Sequence, residues 1–196
     1  MRTDVLSFVL SSENRKRIVK TIFEYPKRQW SCSALEDLTK ISHATVFRTL
    51  NGLRYFGILK SAKVNKKDVL FELVGSPLSE ELKNIMYIEK AAVNKILNKF
   101  INKIKSKGIY SIILYGSAVS GDIEPESDID LLIILNEHDK ILEESILNVA
   151  ANMSSDYNKT LSAVIMDNKK ISAEKNSQFI KSVRDDMKLL YGKKPF

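Results

Sequence analysis

The chain has 196 residues, of which 44% are hydrophobic, 8% aromatic and 28% charged, enough apolar material for a packed core in one or two domains. Its one cysteine, Cys32, excludes an intramolecular disulfide, and no apolar run reaches the ~18 residues that a membrane-spanning helix needs. The formal charge of +7 is uneven: residues 1–78 hold 14 Lys and Arg against 7 Asp and Glu, whereas residues 79–196 hold 17 against 17. A basic first part joined to a neutral second part suggests two jobs, one of them on nucleic acid. The start, Met1-Arg2-Thr3-Asp4, lacks a signal-peptide pattern, so a cytoplasmic protein without a membrane partner is expected.

In chain order, residues 1–10 fit a strand or a helix equally. Ser12-Glu13-Asn14 can cap a helix to about Tyr25, with Ile18, Val19, Ile22 and Phe23 on one face and Pro26 as its stop. Ser31 or Ser33 starts a short helix through Leu35 and Leu38. Ser42 caps a third helix, from His43 to about Phe56, which buries Val46, Leu50 and Leu53 and ends at Gly57. Two strand-like runs, Ile58 to Val64 and Val69 to Val74, flank the polar turn Asn65-Lys66-Lys67-Asp68. After Gly75-Ser76-Pro77, helical spacing predicts one long helix from Ser79 to about Lys105. Then come a strand at 109–115, a turn and short helix, a strand at 129–135, a helix from about 138 to 154, a strand at 160–166 and a helix from about 171 to 187. Leu190-Tyr191-Gly192 can add a short strand.

The most informative stretch is Leu114-Tyr115-Gly116-Ser117, followed after a gap by Ser127-Asp128-Ile129-Asp130 and the apolar run Leu131 to Leu135. Alternation along a strand puts Asp128 and Asp130 on one side, where two carboxylates repel unless a cation sits between them. Gly116 lets the backbone come close to a phosphate, and Ser117, opening a helix, presents N–H groups and a hydroxyl to an anion. Metal and phosphate together point to phosphoryl or nucleotidyl transfer.

At these residues the sequence resembles the DNA polymerase β-like nucleotidyltransferase superfamily, in particular its minimal and kanamycin nucleotidyltransferase-like domains, over roughly Ile109 to Tyr191. The resemblance implies a mixed sheet flanked by helices, with the triphosphate of an NTP on Gly116 and Ser117 and Mg²⁺ (or Mn²⁺) on Asp128 and Asp130. It departs in two places. Ser120 stands where minimal members usually carry an arginine. By register Ser162 stands where a third carboxylate is expected, which leaves Asp167, at the end of the same strand, as the substitute catalytic acid; Asp156 precedes that strand.

Residues 11–74 resemble a winged helix-turn-helix domain, carried by Ser42-His43-Ala44-Thr45-Val46-Phe47-Arg48-Thr49-Leu50 and by Gly57-Ile58-Leu59-Lys60. This implies double-stranded DNA as a partner, with Ser42, His43, Thr45 and Arg48 on the exposed face of the recognition helix and Lys63, Lys66 and Lys67 of the wing on phosphates. The expected architecture is α+β: a winged helix over residues 1–76, a linker helix over 77–107 and a nucleotidyltransferase-like domain over 108–196. A homodimer is expected, since readers of this kind are usually two-fold. A helical toxin partner is implied by the resemblance to minimal nucleotidyltransferases. Two functions follow: an enzyme that moves a nucleoside monophosphate from an NTP to an acceptor, or a regulator or antitoxin whose second domain binds nucleotide or a partner without efficient turnover.

Overall fold

The computed structural model describes residues 4–63, 69–106, 108–120 and 127–196, the side chain of residue 120 excepted. They form two compact units, Met1–Ile88 and Glu89–Phe196. No helix among the described residues is long and apolar enough to cross a membrane.

The first unit contains α1 (Val5–Leu10), α2 (Glu13–Glu24), α3 (Cys32–Thr39), α4 (His43–Tyr55), β1 (Leu59–Lys63), β2 (Val69–Leu73) and α5 (Pro77–Met86). The ambiguous start is helical because the Asp4 carboxylate accepts the Ser7 N–H at 2.8 Å, and Phe8 then lies over Gly52. Helix α3 is capped by Ser31, whose Oγ accepts the Ala34 N–H at 3.1 Å, and it stops at Lys40 in the left-handed region (φ 56°). The buried Ile41 then anchors the tight link into α4. Gly57, at φ 75°, ends that helix and turns the chain into the antiparallel pair β1–β2, as its position in the sequence leads one to expect. Trp30, wholly buried, exchanges both backbone hydrogen bonds with Phe71 at 2.8 Å and so ties the segment before α3 to the wing.

The expected long helix is in fact two. Helix α5 ends at Met86, Tyr87 leaves helical geometry (φ −113°, ψ 16°), and α6 runs Ile88–Ile104. Leu82 and Met86 belong to the first core, Val93, Leu97, Phe100 and Ile104 to a second. The Tyr87 hydroxyl donates to the Lys20 carbonyl at 3.4 Å, holding the break against α2.

The second unit adds β3 (Ile109–Tyr115), α7 (Ser117–Ser120), β4 (Ile129–Leu135), α8 (Lys140–Tyr157), β5 (Leu161–Asp167), α9 (Asn168–Ala173), α10 (Gln178–Asp185) and β6 (Met187–Gly192). The sheet order is β5-β4-β3-β6, with β4 and β5 parallel and the other pairs antiparallel, so it is mixed as expected. The helix expected over 171–187 is two, because Ser177 opens a new one by accepting the Ile180 N–H.

Strand β4 lies between two cores. Ile129, Leu131, Ile133 and Leu135 pack with α6 and α8, and Leu132 and Ile134 with α9 and α10. Such double-sided burial explains the unbroken apolar run. Truncation at its centre therefore leaves a cavity that neither layer can fill. Leu132→Ala is expected to lower the stability of the chain by about 2–5 kcal/mol, read as the shift in a urea unfolding curve followed by circular dichroism.

Candidate functional site

Strand β3 delivers Tyr115 directly opposite Asp130 of β4. Gly116 follows at φ 73°, a conformation that disfavours a side chain, and a Cβ there would lie 2.9 Å from Asp130 Oδ2. The bend and the carboxylate are therefore packed against each other. Asp128 stands two residues before Asp130, just outside the strand, and Ser117 is the first residue of the one-turn helix α7. The sheet thus brings together four of the expected residues: Gly116, Ser117, Asp128 and Asp130.

The electrostatics of the pair are unsettled by the protein itself. Burial, and then the neighbouring Asp128, push the Asp130 carboxyl above the usual carboxylate range. Among the described residues no Lys, Arg or His side chain lies within 4.0 Å of either acid. The Tyr115 phenol is likewise pushed up by burial and then by Asp130, and its ring meets Phe179 edge-on at 5.6 Å and 84°. Reading the sequence missed Tyr115 and Phe179; the one local signal was that Tyr115 immediately precedes the glycine at the strand end. Two like charges on rigid elements, one with its proton affinity raised, beside a bend that leaves space for a close-approaching group, suit a divalent cation and a phosphate chain.

The expected third acid is not brought to this pair. Ser162 of β5 is the register partner of Asp130, whereas Asp167 is the partner of Leu135, five residues further along and roughly 16 Å away at strand spacing. The reason is local: the Asp167 carboxylate accepts the Lys170 N–H at 2.7 Å and caps α9. Asp156 is exposed on α8.

In the first unit, α4 presents a polar end. Ser42 Oγ lies 3.1 Å from Thr45 Oγ1, His43 Nδ1 is 2.9 Å from Glu36 Oε2, and Arg48 Nε donates to the Ala44 carbonyl at 3.1 Å. Ser42, His43 and Arg48 are exposed and Thr45 is half-buried. Lys63 is exposed at the end of β1, while Lys66 and Lys67 lie outside the described residues. The same helix exposes two aromatic rings that the sequence reading did not single out, Phe47 (52%) and Tyr55 (82%). Phe47, Asn51 and Arg54 wall a recess of about 350 Å³ against β2.

The nucleotidyltransferase domain model matches residues 97–195, from α6 through β6. The chain belongs to that family. The ferric uptake regulator family model matches residues 9–111, which makes the first unit of this nucleotidyltransferase a winged helix of that type. A Methanocaldococcus jannaschii protein named "Putative protein adenylyltransferase MJ0604" is 28% identical over 100 residues, 50% of this chain and 96% of that protein. Among solved structures, the AntR antimony-specific transcriptional repressor is similar with TM-score 0.38 and 16% identity, over 48% of this chain and 78% of that one. A toxin–antitoxin structure with AMP-PNP is similar with TM-score 0.37 and 20% identity, over 51% and 73%.

A carboxyl whose pKa is raised in the folded nucleotidyltransferase destabilises it wherever that carboxyl must be ionised; the cost is present above the folded value and fades as pH falls toward the unfolded one. Asp130→Asn is therefore expected to be more stable than the native chain at neutral pH, with the advantage shrinking in acid. Urea unfolding at pH values on either side checks this, and a less stable Asn variant at neutral pH would contradict it.

Proposed function

We propose that this chain is a cytoplasmic DNA-binding nucleotidyltransferase that moves a nucleoside monophosphate from an NTP to an acceptor hydroxyl. One observation carries the reading: Gly116 packs against Asp130, with Asp128 beside it, at the edge of a doubly buried strand. Asp128 and Asp130 would hold Mg²⁺ (or Mn²⁺). A divalent ion bound there supplies Lewis acidity and neutralises charge on the departing pyrophosphate. The residues themselves do the rest. Gly116 leaves room for the triphosphate, and the Ser117 side chain and backbone face it. The acceptor oxygen bonds to the α-phosphorus as the α–β anhydride oxygen leaves with pyrophosphate, and the hydroxyl proton passes to solvent. The name of the Methanocaldococcus jannaschii relative supports an adenylyl group and a protein acceptor for this chain. A helical toxin protein is the acceptor partner we propose, on the resemblance to minimal nucleotidyltransferases.

The winged helix would bind double-stranded DNA, as a homodimer, through Ser42, His43, Thr45 and Arg48 and through Lys63, with Lys66 and Lys67 at the wing tip. A second reading, a regulator that binds nucleotide or a partner without efficient turnover, is favoured by one fact: the neighbour of Asp130 on β5 is Ser162.

Incubation with α-labelled ATP and Mg²⁺ separates the two readings. Pyrophosphate release or label transfer, reduced at least tenfold in the Asp128→Ala/Asp130→Ala variant, is expected; undiminished labelling in that variant would sink the proposal. Tight nucleotide binding without pyrophosphate release would favour the second reading. For the other unit, Arg48→Ala is expected to weaken a DNA gel shift by about tenfold, in line with ~1–3 kcal/mol for a base-reading side chain. Equal binding by both forms would remove α4 from the interface.

A further inference from the structure

The balanced charge of residues 79–196 conceals a sharp segregation. Residues 90–107 contain six lysines and no acidic residue, whereas residues 108–196 contain 10 Lys and Arg against 14 Asp and Glu. Helix α6 sets much of that excess in a row. Lys95, Asn98, Lys99, Asn102 and Lys103 are all exposed and occupy one side of the helix, with successive lysines about 6 Å apart along the axis. Ala91 and Ala92, also exposed, leave the start of that side low and open. Among the described residues no carboxylate lies within 4.0 Å of these amines.

The row has a defined place. Lys99 Nζ donates to the Tyr157 hydroxyl at 2.9 Å and lies 5.1 Å from the centre of that ring. Tyr157 ends α8, and three residues on the Thr160 carbonyl accepts the Ile129 N–H at 2.9 Å. The middle of the row is thus tied to the sheet edge at which Asp128 and Asp130 stand.

We infer that this face of α6 binds the phosphodiester backbone of a nucleic acid, as a second contact distinct from α4 and the wing. Three spaced ammonium groups with two amides between them suit phosphate and sugar oxygens. A membrane fits poorly, because the apolar side of α6, Val93, Leu97, Phe100 and Ile104, is already buried in the core. A protein partner also fits poorly: lysine is depleted at such interfaces, and the row carries no aromatic or large aliphatic anchor.

The test uses the full chain, a short fluorescent duplex DNA of random sequence and a single-stranded RNA of the same length, with affinity followed against salt. Each lost phosphate contact flattens the log–log slope by about 0.9 on duplex and about 0.7 on single strands. Lys95→Gln/Lys99→Gln/Lys103→Gln is expected to flatten it by about 2.7 or about 2.1 on whichever polymer is bound, and the triple Lys→Arg variant to keep it. Lys95→Gln/Lys103→Gln, which preserves the Lys99–Tyr157 contact, should flatten it by about 1.8 or about 1.4, so a folding defect at Tyr157 cannot mimic the result. Arg48→Ala and Asp128→Ala/Asp130→Ala should leave the loss caused by the row variants unchanged, which keeps this outcome separate from the DNA-reading helix and from catalysis. Slopes unchanged on both polymers would overturn the inference. So would loss of binding only to phosphatidylserine vesicles.

Discussion

The constraint on which the second unit depends is that β4 is covered on both faces. A strand in that position can carry charge only where it enters or leaves the sheet. Asp130 stands at the entrance, with Ile129 and Leu131 on either side of it wholly buried. The neighbouring strand can come close there only because Gly116 has no side chain; a Cβ would press on the carboxylate. The helices α6 and α8 on one face and α9 and α10 on the other fix the strand, and the strand fixes the acids. Precision at the site is thus a consequence of apolar packing far larger than the site itself.

Much of this arrangement was legible because its signals are local. The Gly-Ser bend, the alternation of Asp128 and Asp130, the Gly57 stop and the Ser42 start each depend on a few adjacent residues. The break at Tyr87 was not legible, since Leu82, Met86, Val93, Leu97, Phe100 and Ile104 follow one helical phase across it. Their periodicity records that each faces a core and is silent on there being two cores. Only the polar pair Glu89-Lys90, at the step where an apolar residue is missing, marks the division. The contact of Tyr115 with Phe179 joins β3 to α10 and has no counterpart in any short window of sequence.

Asp167 illustrates a different limit. Its distance from the acid pair follows from strand parity alone, since a shift of five residues from Ser162 changes the face as well as the height in the sheet. What parity could not supply is its actual task, which is to cap α9. Charge behaves in the same way. Counting over residues 79–196 gives neutrality, yet that total adds a basic helix to an acidic remainder, and the two occupy different surfaces. A sum over sequence becomes a statement about a surface only once the fold says which side chains share one.

The energetics of the acid pair connect fold to function most directly. Burial and mutual repulsion make the ionised pair a cost to the folded state, and among the described residues no basic side chain offsets it. A ligand that binds only the folded site and brings positive charge relieves that cost, so its binding energy adds to folding stability in proportion to ln(1 + [L]/Kd). A merely structural role would reward a neutral or paired side chain at position 130. Retaining two unpaired acids against a glycine bend is the pattern of a site whose stability is completed from outside, and the same relation makes the stability of the second unit a gauge of what it binds.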